Sequence, residues 1–136
     1  MSGIYTIAGS ALVAQRRRLG LIAANMANAD STAAPGQQPY RAKLAVFQAE
    51  PLDGDGLAPA GDEGVRVSAV AQSSAPFKEV YAPGNPLADA RGYVQESNVS
   101  MVQQMTDMID ATNGYRANLA LLQQTQQINQ ALIQAI

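Results

Sequence analysis

Asp107 and Asp110 stand three residues apart in a stretch that reads as helix, so both carboxylates fall on neighbouring positions of one face, where acid–base chemistry could be done. Nothing joins them. The chain has no histidine, cysteine or tryptophan, and Lys43 and Lys78 are its lysines. Ser-His and Cys-His couples, thiol nucleophiles, disulfides and zinc sites of nitrogen and sulfur ligands are therefore excluded. Carboxylates near the start of a helix serve as partners of its dipole or of a neighbouring cation. The pair is expected to be structural, and the chain to be no enzyme, with no catalytic residues, no cofactor and no metal; a carboxylate-based hydrolase is the remote alternative. Asp53-Gly54-Asp55-Gly56 hints at calcium, but a calcium loop counted from Asp53 needs glycine sixth and glutamate twelfth, where Ala58 and Gly64 stand. Gly54-x-Gly56-x-x-Pro59 misses the dinucleotide fingerprint because its third glycine is proline. Arg16-Arg17-Arg18 span about 200° of a helix, too wide for one basic face, and a net charge of −2 argues against nucleic acid. These arginines are expected to meet carboxylates of other chains.

Stepping from those residues to their supports, all seven prolines lie between Pro35 and Pro86, which divides the 136 residues into helix, β-rich middle and helix. In the first segment Tyr5, Ala8, Leu12, Gln15, Leu19, Ile22, Met26 and Ala29 recur at steps of three and four, a heptad stripe on a helix over about Ile4–Ala29. In the last, Met101, Met105, Met108, Thr112, Tyr115, Leu119, Leu122, Gln126, Asn129, Ile133 and Ile136 do the same. Ser97 or Asn98 is the expected cap of that helix. From Asn98 onward it would reach about 58 Å, more than a domain of this size can cover. The middle predicts strands at Tyr40–Val46, Val65–Ala69, Phe77–Tyr81 and Gly92–Gln95, with a mobile acidic Gly/Pro loop at 50–64. The expected parts are thus 1–29, 30–97 and 98–136, an α+β chain whose terminal helices pair around a small β-rich, loop-rich middle lobe.

Two further readings bear on location. The basic triplet comes late, and Asn25 interrupts the apolar run behind it, so no cleaved leader is expected. Asn118–Ile136 carries no charge, yet its six glutamines and two asparagines make a membrane span a poor fit. Uncharged amides tolerate burial without an ionic desolvation penalty. Both terminal helices therefore read as surrounded by other helices, which implies self-assembly. The positions expected to carry the seam and the subunit interface are Leu12, Leu19, Ile22 and Met26 against Met105, Met108, Leu119 and Leu122, joined by Tyr115 and Ile133. Asn25 and Asn28 are expected to end the first helix and to reach neighbours through amide hydrogen bonds.

The stretch Gly9-Ser10-Ala11-Leu12-x-Ala14-Gln15-Arg16-x-Arg18-Leu19, continued by Asn25-Met26-Ala27-Asn28-Ala29, resembles the N-terminal signature of bacterial flagellar rod and hook proteins. Pro39-Tyr40-Arg41-x-Lys43, Pro76-Phe77-Lys78-x-Val80-Tyr81-x-Pro83-Gly84-Asn85-Pro86 and Gly92-Tyr93-Val94 look like the proximal-rod type within that axial family, as does the run from Met105 to Asn118. The resemblance implies an antiparallel coiled-coil core of the two terminal helices, stacked helically into a tube that transmits torque. It implies export from the cytoplasm by the flagellar type III apparatus without a cleaved leader, and assembly in the periplasm. The implied partners are other copies of the chain, other rod proteins, the rod-to-ring adaptor, and membrane-ring and export-gate proteins. The alternative is a coiled-coil adaptor or small secreted oligomer whose middle lobe binds another protein.

Overall fold

A computed structural model describes residues 2–52 and 63–136. A first helix, α1 (Ser2–Ala27), is followed by the short strand β1 (Thr32–Ala33) and the longer strands β2 (Lys43–Pro51) and β3 (Glu63–Gln72). Strands β4 (Lys78–Tyr81) and β5 (Tyr93–Glu96) precede a second helix, α2 (Met101–Gln134). The composition explains this partition: the proline-free flanks carry uninterrupted helical periodicity, and the proline-bearing middle supplies strands and turns. The architecture is α+β.

The helices run antiparallel side by side, because Tyr5 meets Asn129, Gln15 meets Gly114, and Asn25 meets Gln104. The covered positions of α2 include Gln104, Met108, Ala111, Tyr115, Asn118, Leu122, Thr125 and Asn129, a stripe at alternating four and three, with Met101, Asp107, Thr112 and Gly114 half-buried beside it. It shares Met108, Tyr115, Leu122 and Asn129 with the expected stripe. In its other half, however, Gln104, Ala111, Asn118 and Thr125 take the innermost places, and of the expected Met105, Thr112, Leu119 and Gln126 only Thr112 is half-buried. Small and amide side chains line half of the seam, and the larger apolar ones stand one residue outside it. On α1, Ala8, Ala14, Ile22 and Asn25 are buried, while Leu12, Leu19 and Met26 are half-buried.

Two separate sheets form the middle. Strands β2 and β3 make an antiparallel hairpin running from Lys43 opposite Gln72 to Pro51 opposite Glu63, with a bulge between Val46 and Phe47 that leaves Ser68 unpaired. The hairpin packs on α1 alone among the described elements. The other sheet has the order β1-β5-β4, all antiparallel. Its β4–β5 connection closes at Gly92, whose φ of 86° suits glycine, and a Cβ there would stand 3.0 Å from the Tyr81 ring. A small core of Ala29, Ala42 and Val99, with Tyr40 and Met101 packed on it, lies where α1 ends and α2 begins.

Three local expectations need correction. The first strand starts at Lys43 rather than Tyr40 and runs on to Pro51, and β1 had no signature of its own. The cap of α2 is Ser100, whose side chain accepts from the Gln103 amide, so neither Ser97 nor Asn98 fills that role. Both are engaged elsewhere: the Ser97 hydroxyl accepts from the Val99 amide, and Asn98 holds three backbone groups. The expected acidic loop gives Glu50, Pro51, Glu63 and Gly64 to strands, Leu52 follows β2, and residues 53–62 lie outside the described ones.

Candidate functional site

The most completely bonded side chain sits at the junction of the elements. Asn25, two residues before the end of α1, is 1% exposed. Its Nδ2 donates to the Lys43 carbonyl at 2.8 Å and to Gln104 Oε1 at 2.9 Å. Its Oδ1 accepts from the Lys43 amide at 2.8 Å and from the Tyr40 hydroxyl at 3.0 Å. An amide side chain offers two donors and two lone pairs, so every position is filled. By taking both backbone groups of Lys43, Asn25 imitates a neighbouring strand at the root of β2. Burial pushes the Tyr40 phenol above its ordinary pKa.

Asn98 grips the same segment from the other side. Its Oδ1 accepts from the Ala42 amide at 2.7 Å, and its Nδ2 donates to the carbonyls of Ser73 and Ala75 at 3.2 and 2.9 Å. Arg41 donates to the Ser73 carbonyl and lays its guanidinium 4.3 Å from the centre of the Phe77 ring. The Lys78 ammonium donates to the Val99 carbonyl. Asn28 bonds locally instead: its Nδ2 donates to the Ala24 carbonyl in the last turn of α1.

At the far end of the hairpin, Ser10 Oγ accepts from the Val65 amide at 3.0 Å. Gly64 beside it has no room for a side chain, since a Cβ would stand 2.7 Å from that oxygen and 2.9 Å from Leu52. The hairpin is thus pinned to α1 at both ends. Between them a groove of ≈ 340 Å³ is lined by Leu21, Ile22 and Phe47 with Arg18, Gln104 and Asp107. Arg18 pairs with Asp107 at 3.7 Å, so one of the three arginines expected to meet other chains has a partner within its own. On the β4–β5 turn, the amide of Tyr93 first, with the amide and guanidinium of Arg91, holds the Asp89 carboxyl below its ordinary pKa.

The second feature is the uncovered surface of the helices. Leu121, Ile128 and Leu132 form one exposed strip along α2, on one side of the seam. Leu119 and Ile133, 39% and 73% exposed, lie on the other side, and Met105 is 52% exposed nearer the start. The structure therefore brings Ile22, Asn25, Met108, Tyr115 and Leu122 into the chain's own interior or its margin. It turns Met105, Leu119 and Ile133 outward. Sequence reading missed Gln104 and Gly114, gave Asn98 the role of a helix cap and gave Tyr40 only a strand position; Gln104 had a signal in its heptad phase with Ala111 and Asn118. Gly114 lets the Gln15 amide lie against α2, and Gln15 Oε1 is buried with no hydrogen-bond partner among the described residues.

Among the described residues no helix is long and apolar enough to cross a membrane. Residues 90–135 match the family described as flagellar basal body rod FlgEFG protein C-terminal. The chain is 50% identical over 119 residues to the flagellar basal-body rod protein FlgC of Salmonella typhimurium, covering 88% of this chain and 85% of that one. It is 46% identical over 125 residues to that of Yersinia enterocolitica, covering 92% and 90%. To that of Agrobacterium fabrum it is 40% identical over 129 residues, covering 94% and 89%.

Proposed function

This chain belongs to the FlgC family of flagellar basal-body rod proteins and is a structural subunit of the flagellar rod; from that premise we propose how it is built into the axle. Copies assemble helically in the proximal rod, with α1 and α2 as an antiparallel coiled-coil core and residues 30–97 as a lobe outside it. The array transmits torque across the periplasm, and the role is mechanical rather than catalytic. Its neighbours are further copies, other rod proteins, the rod-to-ring adaptor, and ring and export-gate proteins. The chain leaves the cytoplasm through the flagellar export apparatus.

One observation carries this reading. Beyond Arg116 the 18 remaining residues of α2 carry no charge, and neither do the residues of α1 before Arg16 that lie beside them. This end of the helix pair has apolar strips on both sides of its seam: Leu121, Ile128 and Leu132 on one, Leu119 and Ile133 on the other. An isolated helix pair in water carries Lys and Glu on its outer faces; a surface without them suits helices enclosed by other helices. Met105, Leu119 and Ile133 thus belong to contacts between subunits. Leu12, Leu19, Ile22, Met26, Met108, Tyr115 and Leu122 belong to the seam, and Asn25 and Asn28 secure its upper end.

The test is an image reconstruction of intact basal bodies holding this chain. Both helices should converge near the axis with their uncharged end enclosed. A rod in which that end faces solvent would refute the arrangement. Leu19→Ala should leave expression intact and block rod completion, scored as loss of swarming; full motility would remove Leu19 from the seam.

A further inference from the structure

The hairpin covers one side of the helix pair and leaves the other bare. Leu21 of α1 and Asp107 of α2 line the groove beneath the hairpin together with Leu44 and Phe47, so both mark the hairpin side. Each helix has a second flank across its line of contact with the other. On α1 that flank carries Leu12, Leu19 and Met26, all half-buried; on α2 it carries half-buried Thr112 between exposed Met105 and Leu119. With Asn25 beside Gln104 and Gln15 beside Gly114, these residues come level in three tiers. Met26 stands with Met105, Leu19 with Thr112, and Leu12 with Leu119. Seven residues separate successive tiers, about 10.5 Å, which makes the furrow between the helices about 21 Å long. None of the six side chains is charged. A furrow of half-covered leucine and methionine between two helices has the shape and polarity to seat a third helix.

The same chain carries a strip of matching kind. Leu121 and Ile128 repeat the heptad phase of Asp107, so they lie on the hairpin side of α2, with Leu132 beyond them, and all three are exposed. Leu121 and Ile128 are themselves seven residues apart, so each enters the gap between two tiers as a knob enters a hole. No charged residue lies on α2 beyond Arg116, and seating the strip therefore buries no ion. The hairpin fixes how two such surfaces meet. It lies along α1 from Asn25 to Ser10, and level copies would set the hairpin of one over the furrow of the next. Placing Leu121 between the Met105 and Thr112 tiers moves the neighbour about 19 Å along the helices and clears the hairpin. Leu132 then comes level with Leu119.

We infer that this furrow is the seat of the Leu121–Ile128–Leu132 strip of a second copy, held in the same orientation and displaced by about 19 Å. The contact rests on the reading of the helix pair as enclosed by other helices, and it names what encloses it. Furrow and strip are unlike surfaces on opposite sides of one chain. Such a head-to-tail contact repeats as an open helical array instead of closing into a dimer.

Two arms test it in cells carrying the full chain in place of their own copy. The first uses the absence of cysteine from the chain. Leu119→Cys with Leu132→Cys puts two thiols about 20 Å apart on one helix. A disulfide needs Cα atoms within about 7 Å, so none can close inside a single chain. Oxidised in isolated basal bodies, this pair should give covalent multimers of the chain, and Met105→Cys with Leu132→Cys should give none. No multimers from the first pair in basal bodies that contain it, or as many from the second, would overturn the inference. In the second arm, Leu119→Lys and Leu132→Glu should each reduce swarm diameter several-fold when alone. Together in one chain they should restore it, because the two new charges meet across the contact. Unchanged swarming in the single variants, or no restoration in the double one, would also overturn the inference. A reconstruction in which a different rod protein covers the strip would overturn it and leave the enclosed-helix reading standing; a strip facing solvent would overturn both.

Discussion

Asn25 gives all four hydrogen-bonding positions to partners, so truncating it strands several buried groups at once. Asn25→Ala leaves the Lys43 amide and carbonyl, Gln104 and Tyr40 without their shared partner. A buried group without its bond costs about 1–3 kcal/mol, so a loss of about 3 kcal/mol or more is expected in urea unfolding of the purified chain. Asn25→Asp is nearly isosteric but faces two acceptors, the Lys43 carbonyl and Gln104 Oε1, with an acceptor-only carboxylate, and should be no milder. Tyr40 adds a pH signature. Its phenol titrates higher in the folded chain than in the unfolded one, so its contribution is complete below the ordinary tyrosine value of about 10. As pH rises past that value the unfolded chain ionises first, and stability is lost until the folded phenol titrates too. Tyr40→Phe should lose about 0.5–1.5 kcal/mol at neutral pH and flatten this alkaline fall, as followed by melting temperature between pH 8 and 11.

At the scale of elements, the hairpin depends on its two pins. Gly64→Ala places a Cβ against Ser10 Oγ and Leu52. It should cost about 1–3 kcal/mol and speed amide exchange in β2 and β3 while leaving α2 protected. Ser100→Ala removes the cap of α2, with an expected loss of about 1 kcal/mol. The existence of both helices could be read from proline placement and heptad spacing, and four of the five strands from local pattern. The phase of the seam could not. Met105 and Leu119 look like interior residues, but apolarity marks the inside of a single chain only when its outside meets water. A chain whose outer faces are covered by other subunits, as proposed, carries two kinds of apolar stripe, and Met105 and Leu119 stand on the outer one while Met108, Tyr115 and Leu122 stand on the inner. The cap was misplaced for a related reason: Ser97 and Asn98 have the right chemistry, yet their side chains are committed to the backbone of the neighbouring segments. The two residues of β1 are too few to show a period, and the four-way bonding of Asn25 requires groups far apart in the chain.

For the whole molecule, the proposed arrangement assigns folding and assembly to different residues, and that separation can be measured. Ile128→Ser with Leu132→Ser alters exposed positions beside the seam. Unfolding of the purified chain should change by no more than about 0.5 kcal/mol. Swarming should nevertheless be lost, since the proposed arrangement encloses the same positions in the rod. A variant equally damaged in both measurements would place these residues in the fold of the single chain.

The two bonds between Asn25 and the backbone of Lys43 join the hairpin to the helix pair where Gln104 also attaches. A sideways tug on the hairpin is thus shared among several bonds loaded together, rather than unzipped one after another from a free end. The hairpin behaves as a stiff spoke laid along α1 and fastened at two points. A pull on its tip is taken first by the Ser10–Val65 bond and then by the Asn25 amide, so it is spread along the first helix.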